Sequence, residues 1–296
     1  MLHPYVGGER LRSFFVTDLH GQFERYEKLF ELILCERPEL VLLGGDILPH
    51  AFRSELGNRV SGYNFIRDYL AANLREIRQE LGREYPSILI ILGNDDPRSE
   101  EGNLLAESHD GIFRYLHGQH TSFEKSEFYG YASVPPTPFL LKDWERYDVS
   151  RYVAPGCVCP EEGHRTVDLP EHEIKWGTIK KDLDALVGNA SLERAIFLMH
   201  SPPYDTSLDE AALAGTMYEH APLDPHVGSI AIRRFIEQRQ PLMTLHGHIH
   251  EAARLSGEWK IQIGRTVCVN AAHDGPELAL VRFDSEKPDG AARELL

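Results

Sequence analysis

Three short apolar runs near the start, RSFFVT (12–17), ELVLLGGD (39–46) and SILIILGNDD (87–96), are separated by stretches with a different period. QFERYEKLFELILCE (22–36) places apolar residues at 23, 26, 29, 30 and 33, one face of a helix. GYNFIRDYLAANLREIRQELG (62–82) reads as a longer amphipathic helix closed by a glycine. Strands that alternate with helices cannot be hairpin partners. They pair in parallel through right-handed crossovers, so the spacing alone predicts an α/β fold.

The alternation resumes later. RAIFLMHSPP (194–203) is a predicted strand, VGSIAIRRFIEQRQ (227–240) a helix, and PLMTLHGHIHE (241–251) a strand. WKIQIG, RTVCVN and ELALVRFD suggest an antiparallel finish with short turns. Between about 125 and 190, VPPTPFLLKDWERYD and VAPGCVCPEEGH break the rhythm with Pro and Gly, which predicts a loop-rich insertion in an otherwise single domain over 1–296. The polar tail SEKPDGAARELL (285–296) is expected to fray.

Each informative strand stops at a residue type that binds metal. The first ends at Asp18 and His20, the second at Asp46, and the third at Asn94; a later one ends at His200, and LHGHIHE (245–251) supplies His248 and His250. Ligands of open parallel sheets bind beyond the carboxyl ends of the strands, so residues far apart in sequence can meet at one rim. A single Asp or Asn at a strand end is commonly a turn or a helix cap. Seven such residues at successive strand ends are not explained that way.

Composition limits the partners. A net charge of −15 argues against a sequence-independent grip on nucleic acid, which needs clustered Lys and Arg. It also excludes a purely electrostatic lure for an anion, unless a metal supplies a local positive centre. No apolar run reaches the length of a membrane span, and the start lacks a secretory segment. Four cysteines are few, and a reduced cytoplasmic location is expected. Cys35 and Cys268 sit in apolar surroundings and are expected to be packed thiols. Cys157 and Cys159 form a CVC pair, but no second pair completes a zinc spacing.

The ordered set DLH, GGD, GND, H and GHIH resembles the calcineurin-like metallophosphoesterase signature D-x-H, G-D, G-N-H, H and G-H-x-H, from about residue 12 to 272. HSPPYDTSLD and GSIAIRRFIEQRQPLMTLHGHIHE also resemble a bacterial and archaeal subgroup of phosphoesterases. The resemblance implies a four-layer α/β/β/α sandwich and two divalent ions. It assigns one ion to Asp18, His20, Asp46 and His250, and the other to Asp46, Asn94, His200 and His248, with Asp46 shared. Mixed imidazole, carboxylate and amide ligands suit Mn²⁺ first, or Fe²⁺ or Zn²⁺, rather than an all-oxygen Mg²⁺ or Ca²⁺ site. Two such ions roughly 3.5–4 Å apart can clamp a phosphate and share a bridging hydroxide. The implied reaction is hydrolysis of a small phosphate ester, a nucleotide among the options, with Asn94 and His200 orienting the phosphate.

Gly247 spares side-chain bulk beside the ligands, and His246 has no role in the signature; it either orients a ligand or is a satisfied polar residue at a strand end. Three positions depart from the family pattern. Asp95 stands where a His often lies near the leaving group, and a carboxylic acid with an ordinary pKa near 4 is a poor proton donor at neutral pH. It can serve if negative neighbours raise that pKa, or it binds a bridging water. Subgroups without this His resemble phosphodiesterases more often, which favours a diester. Pro49 replaces an aspartate in GGDILPH, leaving His50 or Arg53 to take over its contacts or to be plain surface residues. VNAAHDG keeps Asn270 and changes its neighbours. Phe139, Lys142 and Trp144 offer stacking or a second phosphate contact, or else anchor a packed loop, and Tyr204 is placed to reach a phosphate oxygen. A monoesterase, a non-catalytic scaffold and a metal-dependent amide hydrolase are the rival readings; the last usually opens with H-x-H, whereas this chain opens with D-x-H.

Overall fold

The computed structural model describes residues 13–49 and 62–296. In chain order the elements are β1 (Ser13–Val16), α1 (Phe23–Glu36), β2 (Leu40–Gly44), a helix that opens with a π turn over Ile66–Ala71 and continues as α2 (Ala72–Leu81), β3 (Ser87–Ile91), α3 (Glu101–Ser108) and β4 (Arg114–Tyr115). There follow β5 (His120–Phe123), β6 (Ser126–Tyr131), α4 (Glu171–Trp176), α5 (Ile179–Val187), β7 (Ala195–Met199), β8 (Met217–Tyr218) and β9 (Ala221–Pro222). The chain continues with α6 (Ile230–Arg239), β10 (Met243–His246), α7 (Ala252–Ser256), β11 (Lys260–Ile263), β12 (Thr266–Asn270), β13 (Ala279–Asp284) and β14 (Lys287–Leu295).

Two six-stranded sheets result, ordered β14-β13-β1-β2-β3-β4 and β11-β12-β10-β7-β6-β5. Each has four parallel strands, β1 to β4 in the first and β12, β10, β7 and β6 in the second. Antiparallel strands complete the edges. In the second sheet, successive side chains split between two cores, as a period of two requires. Phe128, Ile196, Leu198, Leu245, Val267 and Val269 join the core shared with the first sheet. Tyr129, Tyr131, Phe197, Met199 and Cys268 pack instead on Ile179, Leu183 and Val187 of α5 and Ala231, Ile232, Phe235 and Ile236 of α6. The architecture is a four-layer α/β/β/α sandwich. The two sheets are stitched at one corner, where His117 bridges Gly130 and its Nδ1 accepts the Ala132 N–H at 2.9 Å.

Four expectations are corrected. The tail does not fray: residues 287–295 form β14, an edge strand paired with β13. Its sequence hides this because an edge strand tolerates Pro288 and needs few apolar side chains; only Pro288 and Ala291 are buried in it. The loop-rich insertion is shorter than 125–190: it spans 132–170, since β6 lies inside the second sheet and α5 covers it. The three last predicted strands do not form one antiparallel finish: β11 and β12 do pair so, but β12 runs parallel to β10 and β13 crosses to the first sheet beside β1. Cys35 lies on the exposed face of α1, whereas Cys268 is buried as expected. His50 and Arg53 lie outside the described residues. No helix among the described residues is long and apolar enough to cross a membrane.

Candidate metal centre

The ends of β1, β2, β3, β7 and β10 point to the same side of the sandwich, and the loops that follow them meet there. Asp18, His20, Asp46 and His250 present ligand atoms that all lie within 4.8 Å of one another, and Asp46, His200 and His248 form a second such group. Asp46 belongs to both. Asn94 adjoins the second group, its Oδ1 3.1 Å from His200 Nε2, which is also 3.1 Å from Asp46 Oδ2. His250 Nε2 lies 3.0 Å from Asp18 Oδ1 and 3.2 Å from His20 Nε2, so one N–H cannot serve both contacts well, while a cation can sit among all three.

The backbone is bent to achieve this. Asp18, His20, Asp46 and His248 have φ of 55°, 46°, 49° and 72°, the left-handed region that side chains other than glycine seldom adopt. Asp, Asn and His enter it most easily, and such strain persists only where surroundings impose it. The His248 N–H donates to both Asp18 carboxylate oxygens at 3.2 Å, and the Asp95 N–H donates to Asp46 Oδ1 at 2.8 Å. His200 Nδ1 lies 2.9 Å from the Gly44 carbonyl, which turns Nε2 toward Asp46 and Asn94. A Cβ on Gly247 would overlap Thr17 Oγ1 and Asp18 Oδ2, and one on Gly93 would overlap the Asp46 carboxylate and lie 2.6 Å from His200 Nε2. Both glycines are required by close approach.

Charge in the site is tightly paired. Burial pushes the Asp18 carboxyl up, but the adjacent His250 imidazolium outweighs it and holds Asp18 at about 2. Burial likewise opposes charge on Asp46, and His200 overrides it, leaving Asp46 far below the carboxylate range. Against burial, Asp46 raises His200 to about 10 and Asp18 raises His250 to about 9. His248 is pushed down to about 3 by burial and by His200. Buried carboxylates demand compensating cations. Protons on His200 and His250 meet that demand in part, and a divalent ion bound by the same nitrogens would replace them. The donor set fits a borderline divalent metal.

A family model for calcineurin-like phosphoesterases matches residues 11–252. The chain belongs to the calcineurin-like phosphoesterases. It is thus in a family of metal-dependent phosphoric ester hydrolases. No curated protein matches it by sequence. Among solved structures it is similar to a protein of Thermus thermophilus, with a TM-score of 0.55 at 17% identity over 96% of this chain and 97% of that one. A dimetal phosphatase from Danio rerio superposes with a TM-score of 0.49 at 14% identity over 92% of each chain. At such identities the first likeness speaks for the fold.

Other sequence candidates of this phosphoesterase fall elsewhere. His246 is fully buried, its Nδ1 2.8 Å from the Ser201 carbonyl and its Nε2 2.8 Å from Thr244 Oγ1. It is the satisfied strand-end residue, neutral because burial pushes its pKa down to about 3. Lys142 is wholly buried against Glu145, and Trp144 donates its Nε1–H to the Asp96 carbonyl at 2.8 Å, so both are packing residues of the loop. Phe139 stays exposed. The Tyr204 hydroxyl donates to Asp224 at 2.6 Å. Asn270 links the Leu208 carbonyl to the Ala272 N–H. Cys157 and Cys159 join no group of three or more potential ligands among the described residues.

Two supporting residues escape a reading of the sequence. The buried Asp96 carboxylate accepts the N–H groups of Ile47, Leu48 and Gly93, tying together the loops that carry Asp46 and Asn94. Its adjacency to Asp95 before Pro97 was the available signal. Arg25 is 5% exposed although it sits in a helix that reads as amphipathic. The faint signal there is a cation in a helix's first turn, where the dipole disfavours it. Asp95 itself is half-buried, and burial together with the Asp46 charge pushes its carboxyl up to about 7.

Proposed function

We propose that the chain hydrolyses a phosphoric diester with two divalent cations, Mn²⁺ by preference. One would be held by Asp18, His20, Asp46 and His250, the other by Asp46, Asn94, His200 and His248. The observation that carries this reading is Asp46, a buried carboxylate common to two clusters of ligand atoms where the two sheets meet. Cations bound there neutralise phosphate charge and acidify water. The chain's own residues set the geometry. Gly44 fixes the His200 ring, and Asp95 Oδ1 accepts from Asn94 Nδ2 at 3.0 Å, which orients the amide that would face the phosphate.

Asp95 carries the preference for diesters. An imidazole at this position adds positive charge when it holds its proton, whereas a carboxyl 4.0 Å from His20 Nδ1, raised to about 7, adds negative charge to the rim once that proton is lost. That charge repels a monoester dianion more than a diester monoanion. A small ester such as a nucleotide derivative suits a chain whose net charge is −15. The test compares bis(p-nitrophenyl) phosphate with p-nitrophenyl phosphate on Mn²⁺-loaded protein. The expected kcat/KM favours the diester by about tenfold or more, and Asp95→His shifts the ratio toward the monoester by about tenfold, the scale of one favourable charge contact. Equal or faster monoester turnover by the unaltered chain overturns the diester assignment. Failure to bind metal after Mn²⁺ loading overturns hydrolysis altogether and restores the scaffold reading.

A further inference from the structure

We infer that Arg25 is a positioning residue for the metal site that contains Asp18, an inference that rests on the reading just given. The guanidinium is buried near the start of α1 and makes its hydrogen bonds to three backbone carbonyls. Nη1 donates to the Asp18 carbonyl at 2.6 Å, and Nη2 to the carbonyls of Gly275 at 2.5 Å and His273 at 3.4 Å. Its Nε has no hydrogen-bond partner. Burying a guanidinium costs a large desolvation penalty. The rigid planar fork does what an amide cannot: it reaches two separate chain segments at fixed angles.

The two segments matter. Asp18 sits in left-handed backbone, so its carbonyl points away from the β1 ladder and needs an outside donor. Residues 273–275 lie on the connection from β12 in the second sheet to β13 in the first. Arg25 therefore fastens the bent Asp18 peptide to the chain that passes between the sheets. The Asp18 carboxylate is thereby held where His248 N–H and His250 Nε2 meet it. Released from the fork, the peptide can relax toward ordinary backbone and carry the carboxylate away from His20 and His250.

The test is a Co²⁺ titration of the full chain, followed by visible absorption, for the unaltered protein, Arg25→Gln and Arg25→Lys. Asp18→Asn identifies the absorption that belongs to the Asp18 site. The expected result is two binding steps, with Arg25→Gln weakening the Asp18 site by about 10–100-fold and altering its spectrum, the range found for residues that orient metal ligands. The other site stays within about twofold, a split that general destabilisation does not produce. Arg25→Lys, which keeps the charge and loses the fork, weakens the same site by an intermediate factor. Unchanged affinity and spectrum in Arg25→Gln overturn the inference while the metal centre stands. Should Arg25→Gln fail to fold by circular dichroism, Arg25→Lys decides, and affinity within twofold of the unaltered protein overturns it. An unaltered protein that takes up no Co²⁺ overturns the metal centre and this inference together.

Discussion

The rim of the first sheet brings Asp18, His20, Asp46 and Asn94 to the centre, whereas the rim of the second brings imidazoles alone, His200, His248 and His250. The sheets are alike in strand count and in their parallel quartets, yet they hold their ligands differently. The carboxylate side relies on bent backbone, with Asp18, His20 and Asp46 all at positive φ, while only His248 is so bent on the imidazole side. Each rim is also fixed by the other's backbone. His200 is held by the Gly44 carbonyl of the first sheet, and Asp18 accepts the His248 N–H of the second. Neither sheet carries all seven residues, so the candidate centre is an interface within one chain.

Asp46 is the strongest test of that division. Asp46→Asn removes a carboxylate from both clusters and should abolish uptake of both ions, lowering kcat/KM at least a hundredfold, beyond what a merely supporting residue costs. Elemental analysis of the dialysed variant checks this, and retention of one tightly bound ion would show that the clusters are independent. The two glycines give a smaller and more selective effect. Gly247→Ala should weaken the Asp18 site and Gly93→Ala the Asp46–His200 site, each at a folding cost of about 1–3 kcal/mol typical of overpacking. Urea unfolding beside metal titration separates the two effects; both variants weakening the same site would refute the division by sheet.

The smallest expected effect concerns the corner where the sheets join. Burial pushes the His117 imidazole down to about 3 from 6.5, so the folded chain binds fewer protons there than the unfolded chain. The stability this provides is present above pH 6.5 and is lost as pH falls toward 3, at up to about 1.4 kcal/mol per pH unit. His117→Asn keeps an acceptor for the Ala132 N–H and removes the titration. Urea midpoints of metal-free protein at pH 7, 6 and 5 should then fall less steeply than in the unaltered chain. An identical slope would show that His117 is not held neutral at the seam.

The cluster of candidate ligands was legible because strand ends are marked twice, by the loss of apolar period and by the residue type that follows. Asp18, Asp46, Asn94 and His200 each stand two or three residues at most beyond the last buried strand position, and the fold converts that regularity into proximity. Arg25 was not legible as a support, because helical spacing sets it in line with Leu29 and Ile33 but does not show its carbonyl partners, one of them in a loop some 250 residues away. Lys142 stayed open for the converse reason. An isolated lysine in a Pro-rich loop fits a phosphate contact or a packed anchor, and only the fold, by placing Glu145 against it in the interior, decides for the anchor. The strand β14 was hidden by composition: the backbone of an edge strand can pair with its neighbour whatever the side chains are, and its ion pairs, such as Arg282 with Glu294, look like solvent chemistry in one dimension.

The bent peptides at Asp18, His20, Asp46 and His248 bear on how such a chain drifts. The side chains that tolerate that conformation, aspartate, asparagine and histidine above all, are nearly the same ones that hold cations. A lineage released from hydrolysis would therefore still be steered toward its old vocabulary at these four places, because alanine or valine there strains the turn whether or not an ion is wanted.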